Sequence, residues 1–115
     1  DLKGIFAANE SSDVGAVEAV RIAHRVGKIK VVGWDTSPDE VDGVRQGIVA
    51  GLVSQDPFRM GYDGVRTAAA MLRNQPHVAN ENTGALMVTK TNLNNPVVRQ
   101  FVTPRCGSPA QVDVG

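Results

Sequence analysis

Short apolar runs alternate along this chain with longer segments of helical periodicity, and that alternation constrains the fold more than any other feature. Ile5-Phe6-Ala7-Ala8 is an apolar run closed by Asn9, of a length that fits a buried strand. Ser11, Ser12 and Asp13 follow, all residues suited to capping a helix. Val14, Ala16, Val17, Val20, Ala23 and Val26 then recur at helical spacing, with Glu18, Arg21 and Arg25 between them, and Gly27 suits the closing turn. A second apolar run, 29–34, stops at Asp35. Pro38 is placed for the first turn of another helix. Asp39 and Glu40 match the positive end of its dipole, Val41 and Val44 give it an inner side, and Gly47 ends it. A third run, 48–53, leads into Ser54-Gln55. Asp56 and Pro57 then open a helix whose apolar side carries Phe58, Met60, Val65, Ala68, Ala69, Met71 and Leu72. Residues 73–82 are polar and read as a loop. Residues 85–89 form a fourth strand-like run, 97–101 a short helix, and 103–115 show no period and are expected to be a loose tail.

Strands alternating with helices predict an α/β fold, a parallel sheet with flanking helices. Near-continuous apolar stretches such as Val31-Val32 suggest burial on both faces of that sheet. The length of 115 residues suits about one small domain. Twelve basic and twelve acidic residues cancel, so the clustered positive charge of a nucleic-acid binder is not expected. The single cysteine, Cys106, rules out an intrachain disulfide. His24 and His77 stand too far apart in sequence for zinc-ligand spacing, so no metal is expected. No apolar run approaches the roughly 20 residues that span a bilayer. The first residues lack the layout of a signal peptide, so the chain reads as mature, truncated or cut from something longer.

In open α/β sheets, ligands bind outside the carboxyl ends of the strands. Asn9, Asp35 and Gln55 stand at the ends of the first three runs. Together they offer a carboxylate, amide donors and amide acceptors. A carboxylate can accept from two neighbouring hydroxyls, while an amide donates to one oxygen and accepts from another, so the set suits a neutral polyol. Each residue also has a purely structural role open to it: Asn9 as a helix cap, Asp35 in an Asx turn, Gln55 at the approach to a helix. Trp34, the only tryptophan, should point away from Asp35 into packing, because strand neighbours face opposite sides. Phe58 reads as helix core, and His24 as part of a solvated face. Catalytic motifs are absent: there is no nucleophile elbow, no phosphate loop and no dinucleotide glycine pattern. Nothing in the spacing pairs two carboxylates as acid and base. A binding module without a cofactor, rather than an enzyme, is expected.

The segments DLKGIFAANESSDVGAVEAV, KVVGWDTSPDEVDGVRQG, IVAGLVSQDPFRMGYDGVRTAAAML and ALMVTKTN, in that order, resemble the carboxyl-terminal portion of the ribose- and galactose-type periplasmic sugar-binding proteins. The resemblance implies a two-lobed type I periplasmic-binding-protein fold, of which 1–54 and 83–90 would belong to the second lobe. Residues 55–82 would form a hinge crossing and a helix of the first lobe, and 91–115 a terminal segment and tail. It implies that Asn9, Asp35 and Gln55 bind sugar hydroxyls, Gln55 at a hinge. The implied function is the substrate-binding component of an ABC-type sugar importer, outside the cytoplasm, passing a monosaccharide to a membrane permease. Glutamine at 55 favours a pentose such as ribose. Members of the family are more than twice as long. The helix after Pro57 would therefore lack its own sheet, and either pack back on the strands present here or meet the missing amino-terminal lobe or another copy of the chain. A repressor effector domain of the lactose-repressor kind shares the fold and is the competing expectation.

Overall fold

The computed structural model describes residues 1–103; the expected tail from 104 onward, with Cys106, lies outside the described residues. Four strands and four helices alternate: β1 (Gly4–Phe6), α1 (Glu10–Ile22), β2 (Lys30–Trp34), α2 (Pro38–Gln46), β3 (Val49–Gln55), α3 (Pro57–Leu72), β4 (Ala85–Val88) and α4 (Pro96–Val102). The sheet order is β1-β2-β3-β4.

Local signals place the helices. Asn9, not the serines after it, caps α1: its Oδ1 accepts from the Ser12 amide at 2.9 Å. The helix ends at Ile22, short of Gly27, with His24 taking a positive φ of 52° beyond it. In α2, Pro38 opens the first turn, Glu40 Oε2 accepts from the Ser37 amide at 2.8 Å, and Gly47 closes the helix in the left-handed region. Asp56 caps α3, its Oδ1 accepting from the Arg59 amide at 2.9 Å. Each such cap satisfies a backbone donor that the helix geometry leaves without a partner.

β1, β2 and β3 run parallel, with Phe6 opposite Val32 and Trp34 opposite Val53. β4 departs from the expected all-parallel sheet: it runs antiparallel to β3, with Ala85 opposite Gln55 and Val88 opposite Leu52. The reason lies in α3. A crossover helix that packs on the sheet carries the chain back to the opposite edge. α3 makes no substantial contact with any described strand; the substantial contacts of helices are α1 on β2, α2 on β3 and α1 on α2. The 73–84 loop instead folds back along α3, where Asp63 pairs with Arg59 (3.3 Å) and Arg66 (3.0 Å), and Arg66 reaches Glu81 at 3.5 Å. The chain thus re-enters the sheet at the edge it left.

The core lies on one face. Val31 and Gly33 of β2 face α1, and Leu52 and Val88 pack with Val41 and Val44 of α2 and Val98 of α4. The other face carries Phe6, Val32, Trp34, Val53 and Met87, with Phe6 59% exposed. The expected burial on both faces is therefore not found among the described residues. Trp34 is half-buried and meets Phe6 edge-on, ring centroids 6.3 Å apart.

α3 does not lay its apolar side on these strands. Its apolar side faces solvent, with Val65 73% and Leu72 87% exposed. Replacing Val65 by serine is expected to shift the unfolding free energy of this chain by less than about 0.5 kcal/mol, the range of surface substitutions. A urea melt of the two proteins checks it; a larger loss would mean that this side is covered in solution.

Candidate functional site

The carboxyl ends of the three parallel strands open onto a cavity of about 390 Å³. Asp35 and Gln55 both line it. Asp35 leaves β2 with a φ of 73°, a left-handed conformation that Asp tolerates better than most residues. Its own amide continues the sheet ladder, donating to the Val53 carbonyl at 2.8 Å. Trp34 pairs with Val53, and Gln55, two residues beyond Val53, donates from Nε2 to Asp35 Oδ1 at 3.0 Å. That bond leaves Asp35 Oδ2 and Gln55 Oε1 as acceptors. One residue thus orients the other, while each keeps capacity for a ligand.

Asn9 is placed differently. Its Oδ1 is used by the α1 cap, it is exposed, and the α1 residue on the cavity wall is its neighbour Glu10. The Asn9 amide nitrogen remains a donor at the same sheet edge. The structure therefore brings Asp35 and Gln55 into contact and leaves Asn9 to the α1 cap, off the cavity wall.

Several wall residues escaped the sequence reading. Phe58, expected in a helix core, is partly exposed and lines the cavity, stacked on Tyr62 with centroids 6.3 Å apart. Thr36 lines it too and donates to the Phe101 carbonyl at 3.1 Å, tying α4 to the loop that carries Asp35. Ser54 and Asp56 are buried in the same wall, and Asp56 Oδ2 has no hydrogen-bond partner. The signal for Ser54 and Asp56 was their adjacency to Gln55. Phe101 lies 46 or more residues away from every β3 residue in sequence, and nothing local links them. No group of three or more His, Cys, Asp and Glu side chains among the described residues could hold a metal ion. No described helix is long and apolar enough to cross a membrane.

An alternating strand-helix order that ends in an antiparallel return strand, with polar side chains at the carboxyl edge, is the architecture of a type I periplasmic-binding-protein lobe. The chain belongs to the periplasmic binding protein family, whose domain pattern matches residues 1–76. The ribose import binding protein of Haemophilus influenzae is 36% identical to it over 75 residues, 65% of this chain and 25% of that protein. Among solved structures, an ABC transporter solute-binding protein from Agrobacterium vitis, bound with α-D-tagatopyranose, superposes with a TM-score of 0.84. It is 35% identical and covers 89% of this chain and 34% of its own. A carbohydrate transporter solute-binding protein from Agrobacterium radiobacter, in complex with D-arabinose, gives a TM-score of 0.81 at 38% identity, over 87% of this chain and 34% of that one. The chain thus spans about a quarter of the length of the curated relative and a third of those solved structures.

Proposed function

We propose that this chain forms one wall of a monosaccharide-binding cleft in the substrate-binding component of an ABC-type sugar importer. The observation that carries the proposal is the Gln55–Asp35 hydrogen bond at the mouth of the strand-end cavity. It presents a carboxylate oxygen and an amide oxygen side by side, spaced for adjacent hydroxyls of a sugar. Asn9 adds a donor at the same edge, and Phe58 supplies apolar surface. The names of the relatives favour the importer over the repressor reading, and the ribose-binding relative accords with a pentose.

In this proposal, 1–54 and 83–90 form the second lobe, and Gln55 stands at the hinge. α3 belongs to a first lobe that covers its exposed apolar side. The whole protein works outside the cytoplasm and delivers sugar to a membrane permease.

The test is a fluorescence titration of Trp34, which adjoins Asp35 in sequence, against ribose, xylose, arabinose, galactose, glucose and inositol. A saturable response to one of them is expected. Asp35→Asn keeps a residue that tolerates the left-handed backbone but removes the charge. Losing a hydrogen bond to a charged group costs about 1.5–3 kcal/mol, so affinity should fall about 10- to 150-fold. Unchanged affinity in Asp35→Asn would remove Asp35 from the site. Silence toward every sugar, here and in the parent chain, would overturn the sugar-binding reading.

A further inference from the structure

Two carboxyls sit in the interior with no cation paired to them among the described residues. Asp13, on the first turn of α1, is fully buried, and Glu40, on the first turn of α2, is 2% exposed. Asp13 points at the β2 backbone: a Cβ at Gly33 would come within 2.6 Å of all three of its carboxyl atoms. With both groups ionised, Asp13 Oδ1 and Oδ2 and Glu40 Oε1 have no hydrogen-bond partner. Ionised carboxylates only accept, so two of them cannot satisfy each other. Buried like charges repel, and unpartnered buried oxygens are costly. One proton held between them resolves all of this, since a carboxylic acid donates to a carboxylate in a short, strong hydrogen bond.

The position of the pair links it to the candidate site. Asp13 lies four residues after Asn9, and Glu40 five after Asp35; Gly33, which the Asp13 carboxyl faces, lies two residues before Asp35. We propose that Asp13 and Glu40 share a single proton and act as positioning residues, clamping the loop of Asn9 to the loop of Asp35. The part that concerns sugar affinity rests on the function proposed above.

The electrostatic surroundings agree. Burial pushes the Asp13 carboxyl up from its ordinary range, partly offset by a hydrogen bond shared with Glu40. Burial also raises Glu40, against the Ser37 amide that favours its charged form, and the charges of Asp13 and Glu10 add to the rise. The faces of β2 and β3 turned toward the pair bring no charge, being Val31, Gly33 and Leu52. The remaining α2 charges, Asp39, Asp42 and Arg45, are exposed, and Arg45 is paired with Asp42. The folded state therefore keeps a proton that the unfolded chain releases. Stability is greatest on the acid side, and declines as pH rises from the ordinary carboxyl range through the folded pair's upper titration.

A carboxyl-carbon NMR titration of the intact chain from about pH 4 to about pH 9 tests the pair. The expected result is an upper step above the ordinary carboxyl range, felt at both Asp13 and Glu40. The same step should move the amides of Asn9, Glu10, Asp35 and Thr36. Asp13→Asn, a neutral donor to Glu40, should abolish the step and leave those amides independent of pH; Glu40→Gln makes the same test from the other side should the first variant not fold. Two independent titrations in the ordinary range would overturn the proposal, as would an upper step that leaves the loop amides still. Where a sugar binds, its Kd should rise through the same step in the native chain and stay flat in Asp13→Asn. The absence of sugar binding at every pH would count against the proposed function, with the NMR titration still deciding the pair.

Discussion

Replacing Leu52 by alanine is expected to destabilise the chain by about 2–5 kcal/mol, the range of large-to-small substitutions in closed cores. Leu52 has no exposed surface and stands in the middle of the sheet. It is opposite Gly33 on one side and Val88 on the other, beneath Val41 and Val44 of α2 and Val98 of α4. These neighbours come from β2, β4, α2 and α4, so no single element can move to fill the space left behind. Small domains have about 5–15 kcal/mol of stability in all. The variant should therefore unfold at a markedly lower urea concentration, and its far-UV circular dichroism at moderate temperature should already show partial loss. A midpoint within error of the native chain would mean that the layer of helices is not packed on β3 as described.

Gly33→Ala should cost about 1–3 kcal/mol, the usual range for overpacking a filled core. The reason is specific. The added methyl would occupy the place of the Asp13 carboxyl, whose Oδ2 would lie only 2.1 Å from it. Asp13 is fully buried and has no open solvent to turn into, so relief requires α1 to shift away from β2. A double substitution distinguishes this cause from a general strand effect of alanine. With Asp13→Ala beside it, the new methyl enters space the carboxyl has vacated. The double variant should then be more stable than the sum of the two single losses by about 1 kcal/mol or more, as expected for residues in contact. Additive losses would show that the two positions do not meet.

Both substitutions bear on the candidate site through the same packing. Gly33 lies two residues before Asp35, and Leu52 three before Gln55. A shift of α1 or β3 would alter the 3.0 Å contact between Gln55 and Asp35. On the function proposed above, sugar titration of Gly33→Ala would show weaker binding even under conditions where the variant stays folded, because the polar cluster depends on ångström-level placement.

The sequence by itself determined what is local. Pro38 and Gly47 bracket α2, and Asp56-Pro57 opens α3, because capping and backbone restriction act within one turn of chain. The apolar runs marked all four strands, and the polar residues after the second and third marked the edge where the cavity opens. What lay between elements had to wait for the tertiary structure. The direction of β4 follows from α3 standing off the sheet and from the Arg59, Arg66, Asp63 and Glu81 pairs that fold the return loop along it; residues 15 apart in sequence give no local sign of pairing. Asn9, Asp35 and Gln55 looked equivalent as strand ends. Only the register of β2 on β3 joined two of them, while the cap of α1 drew Asn9 into a second task. Asp13 read as a residue suited to capping α1, and Glu40 as a charge suited to a helix amino end. Asp13 does fall on the Val17–Val20 stripe of α1, a spacing that placed it inward. That its carboxyl would be buried against a bare Gly33 is a property of a helix packed on a sheet, and of no single stretch of chain.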